Sequence, residues 1–179
     1  MTDQTPQQSQ SQNPRRPLAG SSRAAAPRAR DAVPLSPDAQ IDVTLVLRRR
    51  AQLPADVVNS PRVLSRTELR TGFGADPADV ATVRSIVEAA GLAVNAVDEA
   101  SRRISVSGPV AAVTALFDVD LREVVSQGLA GQDVRHRQRE GAVNLPAGLD
   151  GIVTAVRCAV GDIVASGATL VEIEAAEEA

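Results

Sequence analysis

Residues 76–110 read DPADVATVRSIVEAAGLAVNAVDEASRRISVSGPV, and the order of elements in this stretch decides the fold class. Asp76 is placed to cap a helix, Pro77 suits the first helical position, and Asp79 favours the positive end of the helix dipole. Val80, Val83, Ile86, Val87 and Ala90 then recur on one helical face, and Gly91 ends the run. A strand follows from Leu92 to Val97. The polar turn Asp98-Glu99-Ala100-Ser101 leads into a second strand, Arg102–Ser107, which points Ile104 and Val106 inward. So short a turn predicts an antiparallel hairpin.

Upstream, Ile41-Asp42-Val43-Thr44-Leu45-Val46-Leu47 alternates and predicts a strand with Ile41, Val43, Leu45 and Leu47 on the core face. Arg48-Arg49-Arg50 closes it, either as a solvated strand end or as a salt-bridging patch for a partner. The connection to Asp76 is long for a loop, so a short helix is expected near Ser65–Thr71. Downstream, Gly108-Pro109 opens a second helix with Val110, Val113, Leu116 and Phe117 on its face, and a strand is predicted at Leu121–Val125. Strand, helix, strand, strand, helix, strand is the ferredoxin-like plan. The expected fold is α+β, with two helices on one face of a four-stranded antiparallel sheet.

Composition divides the 179 residues into three parts. Residues 1–39 are rich in Gln, Ser, Pro, Ala and Arg, lack apolar periodicity, and are expected to form a disordered arm. Residues 40–157 form the folded domain, and residues 158–179 a β-rich tail. The arm shows no apolar segment of signal-peptide length, and no stretch reaches membrane-spanning length, so neither export signal nor membrane partner is read.

Several chemistries are excluded by residue type. All 19 basic residues are Arg, which removes Schiff-base, P-loop and lysine-linked cofactor chemistry. Phe73 and Phe117 are the only aromatics, too few to stack nucleic-acid bases, so no nucleic-acid partner is expected. Cys158 and His136 stand alone of their kind and offer no metal-ligand spacing, so no metal or other cofactor is assigned. His136 lies between Arg135 and Arg137 and is read as an exposed residue of a basic strand. No serine has a plausible base and oxyanion set, and no catalytic residue is assigned.

The segments so read resemble the pro-domain, or activation domain, of the kumamolisin/sedolisin serine-carboxyl peptidases. Ile41–Arg49 is similar to the family's opening strand, and Pro17-Leu18-Ala19-Gly20 to an element upstream of it. Ala75–Gly91, Ile104-Ser105-Val106-Ser107-Gly108-Pro109-Val110 and Leu116-Phe117-Asp118-Val119-Asp120-Leu121 follow in family order. Arg137-Gln138-Arg139-Glu140-Gly141 and Val143-Asn144-Leu145-Pro146 resemble the late extended segment, which the family follows with a brief helix, here Ile152–Val156.

The resemblance implies a domain that assists folding of a sedolisin-type catalytic domain and inhibits it, acting outside the cell, with a cytoplasmic place the alternative because no signal peptide is read. It also implies that Arg137, Arg139, Val143, Asn144, Leu145 and Pro146 contact that peptidase. The family's catalytic domain is expected shortly after residue 157, and the 22 remaining residues leave no room for it, so no enzymatic activity is expected. Residues 151–175 resemble half of a biotinyl or lipoyl domain, but Glu177 stands where the attachment lysine belongs. A carrier fragment lacking its lysine and an inert orphaned fragment are therefore the alternative readings.

Overall fold

The computed structural model describes residues 14–25, 29–58, 63–127 and 131–158. In chain order they form β1 (Arg15–Pro17), β2 (Arg30–Pro34), β3 (Gln40–Leu47), α1 (Ala55–Val58), α2 (Arg66–Glu68), a π-helical turn (Leu69–Phe73), α3 (Pro77–Ala89), β4 (Ala93–Asp98), β5 (Arg103–Pro109), α4 (Val110–Phe117), β6 (Asp120–Gln127), β7 (Asp133–Glu140), β8 (Asn144–Pro146) and β9 (Val153–Cys158).

Strand β3 is the hub. Ile41, Val43, Leu45 and Leu47 are buried, as their alternation predicts, and β3 pairs antiparallel with β5 on one side and β9 on the other. The sheet order is β4-β5-β3-β9, so β5 lies between β3 and β4, the two strands joined through α3. Val83 and Val87 of α3, and Val110, Val113, Leu116 and Phe117 of α4, join one core with Ile104 and Val106. Both helices therefore pack against the same face of the sheet. Asp76 caps α3 by accepting from Ala78 N–H at 2.9 Å, and Gly91, at φ 83°, provides the left-handed stop that a side chain would strain.

The fourth strand departs from expectation. β6, predicted to complete the main sheet, instead lies between β2 and β7 in a separate three-stranded sheet. Its place beside β3 is taken by β9, where the brief helix Ile152–Val156 was expected. The spacing of Ile152, Val153 and Val156 fits a helix face, but β-branched Ile, Val and Thr are stiff at χ1 and suit the open edge of β3 better. Asp118 contributes by ending α4 in a left-handed conformation, φ 48°, from which the chain enters β6.

The arm expected to be disordered takes strand form in part. β1 pairs antiparallel with β8, and β2 pairs with β6 through a bulge between Arg30 and Val33. Polar composition hid both strands, because they bury almost nothing themselves and are held by backbone pairing to a strand elsewhere. The tail reading lies outside the described residues except for Cys158, the last residue of β9.

The three arginines after β3 fasten the long connection. Arg48 grips Asp79 with two hydrogen bonds, 2.7 and 2.9 Å, and this pairing holds its guanidinium pKa above the ordinary value. Arg50 donates to the carbonyls of Thr71 and Ala75, both at 3.1 Å, and Arg49 to that of Phe73. The expected short helix is α2 with its π-helical extension, capped by a reciprocal Ser65–Glu68 box. Gly74 is wedged beneath the β4–β5 turn, where a Cβ would come within 2.5 Å of the Glu99 carbonyl oxygen.

Candidate functional site

The main sheet has one covered and one bare face. Residues paired in register across it show the bare side: Asp42 with Ser107 and Ala93, and Thr44 with Ser105, Ala96 and Arg157. All of these are exposed or half-buried, and the side chains are small or polar. Val46 is the exception, buried between Arg103 and Ala155. At one end of this face Asp98, in register with Arg103, is reached by Arg66 of α2 at 2.8 Å. A surface of Ser, Thr and Ala carries few bulky side chains and lets another protein approach the sheet closely, with Asp42, Arg103 and Arg157 exposed beside it.

The residues singled out by resemblance fall into two groups. Val143 and Leu145 are 3% and 1% exposed and belong to the domain's own core. Their side chains are not surface contacts in the folded domain. Asn144 and Pro146, on the opposite side of β8, are half-buried. Asn144 donates from Nδ2 to the Asp118 carboxylate at 3.1 Å and to its carbonyl at 3.3 Å, joining β8 to the end of α4.

Arg137 is exposed on β7, opposite Glu123, and Arg139 donates to the carbonyls of Gly141 and Ser21. The structure thus brings Arg139 and residues 143–146 together around the segment 15–23, while Arg137 stands further out on the edge strand. His136 is half-buried rather than exposed. Its Nδ1, with Ser126 Oγ and Gln138 Oε1, lacks a hydrogen-bond partner among the described residues.

The sequence reading missed the segment Arg15–Arg23 as part of this region. Arg15 donates to the carbonyls of Leu116 and Ala115 at 2.6 and 2.7 Å, capping α4, and Arg16 pairs with Asp150 at 3.3 Å. The one available signal was Pro17-Leu18-Ala19-Gly20, which stood out from the surrounding low-complexity composition. At the other end of the sheet, Asp98 accepts from the Ser101 hydroxyl at 2.7 Å and pairs with Arg66 at 2.8 Å. The Ser101 hydrogen bond first, and Arg66 after it, hold this carboxyl below the usual value. Arg102 is shifted down by burial and by the nearby charges of Arg49 and Arg103.

A split βαβ core with a bare sheet face and accessory strands is the architecture of a small α+β activation domain, and sequence comparison gives the same class. The family model "Pro-kumamolisin, activation domain" matches residues 27–159. The chain belongs to that family, whose members are activation domains of serine-carboxyl peptidases. It is 33% identical over 148 residues to kumamolisin of Bacillus sp. (strain MN-32), which covers 78% of this chain and 26% of that protein. The chain thus spans about a quarter of the length of the curated relative it matches.

Proposed function

We propose that this domain binds the catalytic domain of a sedolisin-type serine-carboxyl peptidase, assists its folding and inhibits it, without peptide chemistry of its own. The observation that carries the reading is the bare face of the four-stranded sheet. Asp42, Thr44, Ser105, Ser107, Ala93 and Ala96 leave room for a partner surface, and family membership supplies the peptidase. Docking a preformed sheet costs little ordering entropy, so contact energy is retained as affinity. An extracellular place of action belongs to the same proposal and rests on the family resemblance.

The test is titration of the purified chain into mature sedolisin-type peptidases at acid and neutral pH. Tight inhibition is expected, weakened about tenfold or more by Ser105→Arg, which blocks the bare face while leaving the core untouched. Inhibition that is absent for a folded chain sinks the reading. Inhibition indifferent to Ser105→Arg moves the docking surface elsewhere.

A further inference from the structure

Strand β8 is anchored from beneath and strapped from outside. Leu145 and Val143 fix it in the core, beside Leu149. Its strand partner among the described residues is β1, in the register Arg15↔Pro146, Arg16↔Leu145, Pro17↔Asn144. The strap continues past the strand. Leu18 N–H donates to Val143 O at 2.8 Å, Ser21 Oγ accepts from Val143 N–H at 2.9 Å, and Arg23 and Gly141 exchange backbone bonds of 3.0 and 2.9 Å. The segment 15–23 therefore satisfies the backbone of residues 141–145 along one edge.

Its hold is by hydrogen bonds, including those of Arg15 to α4 and of Arg139 to the Ser21 carbonyl, with little apolar burial. Arg15, Arg16 and Pro17 are exposed, and within β1 and its continuation only Leu18 packs against the core. The Arg16–Asp150 pair joins side chains that are 74% and 37% exposed, so water screens most of its attraction. The strap sits near the low end of local stability and β8 near the high end. Were the strap to lift, β8, fixed in the core by Val143 and Leu145, would offer its backbone groups as an edge for another extended segment. The built-in occupant shows what that edge reads. One arginine reaches the carbonyl end of α4, the next reaches Asp150, and an aliphatic residue follows two positions on.

We propose that the edge of β8, with the carbonyl end of α4 and Asp150, is an acceptor for a basic extended segment of the peptidase. Residues Arg15–Arg23 are its resident occupant and must lift before that segment binds. This rests on the docking reading above and adds to it a second contact, away from the bare sheet face, whose access the chain itself controls.

A disulfide lock on the full chain tests it. Pro17 and Asn144 face each other between backbone-bonded positions, where antiparallel Cα atoms lie about 4.5 Å apart, within disulfide reach. Pro17→Cys with Asn144→Cys, in a Cys158→Ser background, is compared oxidised and reduced against a mature sedolisin-type peptidase. The oxidised form is expected to inhibit about tenfold more weakly than the reduced form. Equal inhibition by both overturns the proposal, as does a dimer that dissolves on locking while inhibition stays unchanged, which marks strap exchange between copies.

If neither state inhibits, the docking reading fails, and hydrogen exchange on the unmodified chain decides the strap separately. The Leu145 amide should exchange far faster than that of Leu45; equal protection overturns an exchangeable strap. Arg15→Glu with Arg16→Glu, which needs no engineered bond, should strengthen inhibition severalfold, and unchanged inhibition counts against the proposal.

Discussion

The sheets β4-β5-β3-β9 and β2-β6-β7 are built on different physics. β3 buries Ile41, Val43, Leu45, Val46 and Leu47, whereas β7, equally long, buries no residue at all. The first sheet is held by apolar burial against two helices. The second is held by its backbone ladder and by the arginine–carboxylate pairs Arg30–Asp133 and Arg135–Glu123, with Leu121 and Val124 as its buried contacts. Exposed pairs of that kind contribute little each. The domain thus joins a stable hub to a weakly held periphery, and its N-terminal strap belongs to the periphery.

The largest effect that separates the two regions is expected from Phe117→Ala, which empties a fully buried site between α4 and the main sheet. A denaturant melt should show a loss of about 3–5 kcal/mol. Val33→Ala, on exposed β2, should stay within about 0.5 kcal/mol. Similar losses at both positions would break the comparison.

Next is Gly74→Ala. The added methyl meets the carbonyl oxygens of Glu99 and Arg70, groups that cannot swing aside, and a cost of about 1–3 kcal/mol is expected in the same assay. Arg15→Ala removes a strap contact to the end of α4 and is expected to cost about 1 kcal/mol or less, with faster exchange at Leu145 and no change at Leu45.

The smallest effect concerns pH. Asp98 has its pKa lowered in the folded state, so the stability it contributes is present above the ordinary carboxyl value of 3.8 and is lost as pH falls through the lower folded value. The melting-temperature gap between the native chain and Asp98→Asn should therefore be constant near neutrality and close only under strong acid. A gap that closes near pH 6, or widens in acid, sets this assignment aside.

What could be read in the sequence follows the same division. Ile41–Leu47, Asp76–Gly91 and the hairpin around Asp98–Ser101 were legible because their apolar periods record burial in the core. β1 and β2 were not, because their partners set their conformation and their own side chains remain in water, and β7 was read only as a basic strand around His136. Asp79 was read for its position near the helix dipole, while its pairing with Arg48 across 31 residues left no local mark. The same limit affects the candidate contacts. Asn144 and Pro146 stay half-buried, whereas Val143 and Leu145, singled out by the same resemblance, are core residues.

The position of β9 bears on how the domain is made. Thr154 reaches the carbonyl of Val46 across 108 residues of chain, one of the longest-range contacts of the main sheet. Synthesis proceeds from the N-terminus, so most of the domain emerges while one side of β3 still lacks its neighbour. Until residues 153–158 appear, the most buried of the described strands offers an open edge to other nascent chains. Slow translation just before that strand would lengthen the exposure, so crowding and elongation rate, as much as equilibrium stability, would set the yield of folded domain.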